Sequence, residues 1–165
     1  HYKLTDPFCM FYLHFIWNRK KLSEKFWQQN VTASFVSIWR GFAFENVCFN
    51  HIEQIKRSLG ISGVITEASA WSKKDDDTDG TQIDLLISRN DNVINMCEIK
   101  YYSGEFKVNK DYYLKLLNRQ AILAENVSTR IAIHSTLITT FGLATNEYSG
   151  VFTNVIVLDD LFKED

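Results

Sequence analysis

The chain has 165 residues, of which 45% are hydrophobic and 23% charged, with seven glycines, a single proline and a formal net charge of -2. This is the profile of one folded domain with a short appendage at most, and it excludes a disordered tail or two ordinary domains. The charge excludes a global field drawing the molecule onto nucleic acid, so any such binding falls to a local patch or to metal ions.

Residues 1–30 join an aromatic block, "FCMFYLHFIW", to "NRKKLSEKFWQQN", a segment of helical character with a charged second half. Two readings stand: a connector packed on something else, or a first helix of the same domain. From Val31 to Leu59 the pattern predicts one long helix, with Cys48, Ile52, Ile55 and Leu59 at three- and four-residue steps and "LGISG" as its stop. Strands are expected at Gly63 to Trp71, Gln82 to Arg89 and Val93 to Tyr101, the last two forming a hairpin about "NDN". The Asp-rich "SKKDDDTDG" before the second strand reads as a solvated loop, since its spacing matches no calcium loop. A second helix follows from Asn109 to Glu125, then strands at Thr129 to Leu137 and Val151 to Leu158. Helix, three strands, helix and two strands, without internal repeat, call for an α/β fold in which helices cover a mixed sheet.

Cys9, Cys48 and Cys97 are widely spaced, lie in apolar segments and form no CxxC pair, so they read as buried thiols in a reducing cytoplasm. The four histidines have no zinc-ligand spacing. No membrane-length apolar run or signal peptide occurs, and the glycosylation patterns at Asn30 and Asn126 read as chance. The opening "HYKLTDPF" looks like a strand already under way and suggests a piece of a longer protein. No GxxxxGK[ST] occurs, so ATP hydrolysis is not an activity of this segment.

The hairpin carries the chemistry. Strict alternation puts Ile83, Leu85 and Ile87 on one face of the second strand and Asp84, Leu86 and Ser88 on the other. Folding about Asp91 sets Asp84 opposite Glu98, with Lys100 on the same face. Two facing carboxylates repel, and burying them uncompensated costs several kcal/mol, roughly the scale of a broken buried ion pair. A hard divalent cation, Mg²⁺ or Mn²⁺, suits two carboxylates and leaves the lysine to face a substrate; zinc does not suit them. Glu45 extends the stripe of Cys48, Ile52, Ile55 and Leu59 by one helical step, which makes it either an inward acid or a glutamate at the stripe's margin.

"QID" followed across the hairpin by "EIK", after a helix carrying "GFAFEN", resembles the PD-(D/E)xK nuclease superfamily. That superfamily has a restriction-endonuclease-like core of helix, three strands, helix and strand. More narrowly, "YKLTDPFCMFYLHFI" with "WRGFAFENV" resembles the C-terminal region of archaeal-type AAA+ ATPases, in which such a domain follows a P-loop module and a winged helix. The resemblance implies a connector over residues 1–30, ending an upstream winged-helix region, and a nuclease-like domain over 31–165. It implies Asp84 and Glu98 as metal ligands, Glu45 as an auxiliary acid and metal ligand, and Lys100 as the group that positions or activates the attacking water. Gln82 and Gln120 stand as contacts to the site or the phosphates, or as ordinary polar residues. Ile83 occupies the place where the motif has proline. The implied partners are nucleic acid, DNA first, and the ATPase and winged-helix domains of the same polypeptide. Two functions follow: metal-dependent phosphodiester hydrolysis, or a catalytically inactive restriction-endonuclease-like domain that binds nucleic acid or protein.

Overall fold

The computed structural model describes residues 4, 6–17, 23–73 and 81–163. Most of the Asp-rich run, residues 74–80, lies outside them. Packing separates two units, His1–Asn50 and His51–Asp165. The expected boundary after residue 30 falls inside the first unit, between helices α2 (Phe26–Asn30) and α3 (Ser34–Asn50).

In the first unit, Pro7 and the Asp6 carboxylate, which accepts from Cys9 N–H at 2.6 Å, start helix α1 (Pro7–Phe11); the helix widens into π-type turns over Tyr12–Ile16. Phe15 is buried among the rings of Phe11, Phe26, Trp27, Phe35 and Trp39, which meet it at 5.0–6.2 Å. Such offset and edge-on contacts are what aromatic quadrupoles favour. Phe8, Leu13, Trp17, Ile38 and Phe42 are exposed.

The long helix expected from Val31 to Leu59 is two helices, α3 and α4 (Ile52–Ser58). His51 leaves the helical basin at φ -120°, ψ 33° and caps the second helix. Asn50 and His51 are poor helix formers, and the apolar stripe that crosses them does not outweigh their local preference. The expected stop is present as a Schellman turn: Gly60 has φ 70°, its N–H donates to Arg57 O, and Ile61 N–H donates to Lys56 O, both at 2.9 Å.

The second unit is built on a mixed sheet of β1 (Thr66–Lys73), β2 (Thr81–Arg89), β3 (Val93–Lys100), β4 (Ala132–Thr139) and β5 (Asn154–Val157), adjacent in that order. β1–β2 and β2–β3 are antiparallel; β3–β4 and β4–β5 are parallel. Parallel neighbours need a crossover, supplied between β3 and β4 by helix α5 (Lys110–Glu125). This is the α/β class expected, a restriction-endonuclease-like mixed sheet flanked by helices. β5 is shorter than its apolar run because Ser149–Val151 forms a 3₁₀ turn.

Residues 94–99 of β3 are all buried, as in a central strand covered on both faces. On the α5 face, Leu116 and Leu123 pack with Ile83, Leu86, Ile94, Met96 and Leu137, each fully buried aliphatic contributing roughly 1.5–3 kcal/mol. Ile83 corrects the strict alternation: it shares this cluster with Leu86 rather than the opposite face with Leu85. Between the pairs Ser69–Leu86 and Trp71–Ile83 the register shifts, so Asp84 and Leu85 together face Ala70 across a β-bulge in β2.

The turn between β2 and β3 is as the sequence implies. Asn92 takes φ 64°, a conformation open to Asn and Gly, and the register that follows pairs Leu85 with Cys97 and Leu86 with Met96. Asn92→Val should cost about 1–2 kcal/mol in urea unfolding and Asn92→Gly almost nothing. Equal stability of the two variants would mean that the left-handed residue does not matter to the hairpin.

Candidate active site

One further step along the hairpin register brings Asp84 to Glu98, and Lys100 joins them. The Lys100 ammonium stands 3.4 Å from Asp84 Oδ2 and 3.4 Å from Glu98 Oε2, between the two acids. The bulge turns Asp84 toward β3, where its Oδ2 accepts from the backbone N–H of Ile99 at 3.0 Å. A carboxylate thus takes the donor that a regular ladder would pair with backbone, and the β2–β3 pairing ends at Leu85.

Two further residues complete the cluster, and both come from α5. The Tyr112 hydroxyl donates to Glu98 Oε2 at 2.7 Å, and Arg119 donates to Glu98 Oε1 at 2.5 Å. Asn109 caps the helix by accepting from Tyr112 N–H at 2.8 Å. From there Tyr112, Leu116, Arg119 and Leu123 fall on one helical stripe, and the buried Leu116 and Leu123 draw the polar pair down onto the sheet. Glu98 is 0% exposed, and both its oxygens have donors. Burial, then the charge and hydrogen bond of Glu98, push the Tyr112 phenol pKa far upward, so it remains a donor. Burial disfavours the Arg119 cation, but the charge of Glu98 and its hydrogen bond outweigh that, and the guanidinium pKa is raised.

The question set by two acids in a buried hairpin therefore has a first answer without a metal ion. Two carboxylates face two cations, Lys100 and Arg119, and the charges balance. Arg119 and Tyr112 had a signal in the sequence: an arginine and a tyrosine within an apolar helical stripe point inward and need a buried partner. Thr139 is a third addition. It is paired with Lys100 in the parallel register and so shares its face; its hydroxyl is buried without a hydrogen-bond partner among the described residues.

Glu45 is half-buried on α3 in the first unit. Gln82 is exposed on β2, and Gln120 lines a cleft of about 320 Å³ with Tyr113 and Tyr148. Among the described residues no three His, Cys, Asp or Glu side chains gather where a metal ion would sit.

No family model matches the chain, and no curated protein matches it. Among solved structures the chain is similar to the crystal structure of the protein of unknown function AF1548, at 13% identity over 70% of this chain, with a TM-score of 0.44. The chain spans 64% of that protein's length. A likeness at this level carries no functional argument.

Cys48 and Cys97 are buried as expected, whereas Cys9 is exposed, because the short helix α1 that carries it has no buried residue. Among the described residues no helix is long and apolar enough to cross a membrane.

Proposed function

We propose that the second unit is a divalent-metal-dependent nuclease-like domain acting on phosphodiester bonds in DNA, within a cytoplasmic ATPase whose P-loop and winged-helix modules belong to the same polypeptide. One observation supports the site above all: a cation, the Lys100 ammonium, already stands equidistant between Asp84 and Glu98. The donor set fits Mg²⁺ or Mn²⁺, which are held by one or two carboxylates, with water and substrate phosphate completing the shell. The unpartnered Thr139 hydroxyl beside Lys100 suits a further polar occupant of the same face. The ATPase context rests on the resemblance carried by residues 2–16 and 39–47, and the cytoplasmic setting on three widely spaced cysteines without a CxxC pair.

A bound divalent ion would supply an acidified water and a polarised phosphoryl oxygen. Asp84 and Glu98 would hold it. Tyr112 and Arg119 hold the two Glu98 oxygens in place, so that it presents one geometry to a ligand. Lys100, released from the acids, is left to donate to the phosphoryl oxygen that gains charge.

A second reading has its own support: Arg119 and Lys100 neutralise the acids with no metal ion, as expected of a catalytically inactive binding module on the same fold. Incubating the full chain with labelled DNA in Mg²⁺, Mn²⁺ or chelator separates the two. The nuclease reading expects products that vanish in chelator and in Lys100→Ala. DNA left intact in both metals, by a protein that retains it on a filter, would favour the binding module.

A further inference from the structure

β1 is an edge of the sheet: β2 lies on one side of it, and among the described residues no strand lies on the other. Every residue of β1 except Thr66 and Trp71 is exposed. An edge strand presents a row of unpaired N–H and C=O groups, and folded proteins shield such a row with proline, a bulge or charged side chains. β1 has no proline, and the extra residue of the β1–β2 bulge belongs to β2. Its charges, Glu67 and Lys73, stand near its two ends, with Ala68, Ser69 and Ala70 between them.

One bond shows which backbone groups face outward. Ile65 O accepts from Asn90 N–H at 3.1 Å, next to the Thr66–Arg89 pair, so Ile65 stands at a hydrogen-bonded position of the β1–β2 ladder. Such positions alternate along an antiparallel pair, so Glu67 and Ser69 also bond toward β2. Thr66, Ala68, Ala70 and Ser72 then aim N–H and C=O away from the sheet. A further antiparallel strand on this edge has to match outward residues with outward residues.

A second copy of β1 meets that condition. Laid antiparallel about a two-fold axis at Ala70, it sets Ala70 opposite Ala70 and Ala68 opposite Ser72, all outward positions. The same register sets Glu67 opposite Lys73 on both sides of the axis, and opposite charges directly across a strand pair attract. Moving the axis by one residue keeps the backbone match and loses the charge match. With the axis at Ser69, Glu67 faces Trp71; with the axis at Trp71, Glu67 falls beyond the end of the partner strand. Neither Glu67 nor Lys73 has an ion pair among the described residues, so both charges are available to a partner.

We propose that two copies of this chain pair through β1, antiparallel about a two-fold axis at Ala70, joining their sheets edge to edge. The pairing uses each β1 once and so closes at a dimer. Its contact area is that of a single strand pair, which makes it a weak, reversible dimer. It is independent of the chemistry at Asp84, Glu98 and Lys100.

The test is sedimentation velocity of the full chain from about 5 to about 200 µM, over which a contact of this size should carry it from mostly monomer to mostly dimer. Glu67→Lys and Lys73→Glu each set like charges across both ends of the pair and should weaken dimerisation by about tenfold or more. Mixed in equal amounts, the two variants restore opposite charges at both ends and should dimerise like wild type. Both side chains are exposed, so melting curves of the variants should overlay wild type. Hydrogen exchange over residues 66–73 should slow as the dimer forms. A chain that stays monomeric across the range, charge variants that dimerise like wild type, or a mixture no tighter than its components would each overturn the proposal. So would species larger than the dimer, or a dimer in which exchange over β1 is unchanged.

Discussion

Arg119→Met should lower the stability of the chain by about 2–4 kcal/mol, read as a shift of the urea midpoint at unchanged slope. Arg119 is the partner closest to a carboxylate that has no access to water: Glu98 is 0% exposed, and the guanidinium is 2.5 Å from its Oε1. Removing the guanidinium leaves that charge to Tyr112 and to a lysine 3.4 Å away, which also serves Asp84. Glu98→Gln should cost less, about 1–2 kcal/mol, because the amide still accepts from Tyr112 and the partly exposed Arg119 can turn to solvent. The double variant should be more stable than Arg119→Met alone, since it removes the uncompensated charge itself. Additive losses would show that Glu98 and Arg119 are energetically independent, leaving their contact incidental.

Mn²⁺ should raise the melting temperature of the wild-type chain, with a linkage stabilisation of about 2.7 kcal/mol at a hundredfold excess over the dissociation constant. The ion has to enter where the Lys100 ammonium stands, 3.4 Å from each acid, so Lys100→Ala should show a gain at least as large while losing any cleavage. Asp84→Ala deletes one of two ligands and should abolish most of the gain. Asp84 is the informative position because its Oδ2 also accepts from Ile99 N–H, so the substitution carries a structural cost without metal that the chelator control measures. Equal responses of wild type and Asp84→Ala would show that the ion binds elsewhere. The Asp84–Lys100–Glu98 cluster would then be an ion network holding β2, β3 and α5 together.

The sequence alone determined the order of elements, the mixed sheet and the pairing of β2 with β3. These are set by short-range chemistry: period-two apolar runs, a Schellman turn at Gly60, and Asn92 taking the left-handed angle that fixes the hairpin register. It also determined that Asp84, Glu98 and Lys100 would meet, because a register known at the turn propagates along both strands. Only the tertiary structure decided what the meeting amounts to. The bulge opposite Ala70 depends on how β1 lies on β2, and it moves Ile83 into the α5 core and turns Asp84 toward Ile99. Arg119 and Tyr112 lie more than ten residues beyond Glu98, and the neutral charge of the cluster depends on the crossover helix that carries them back over the sheet. The break at His51 follows the same logic. A continuous apolar stripe predicts one helix; Asn50 and His51 are its locally weak point, and the division of the chain into two packed units, a matter of long-range contacts, falls there.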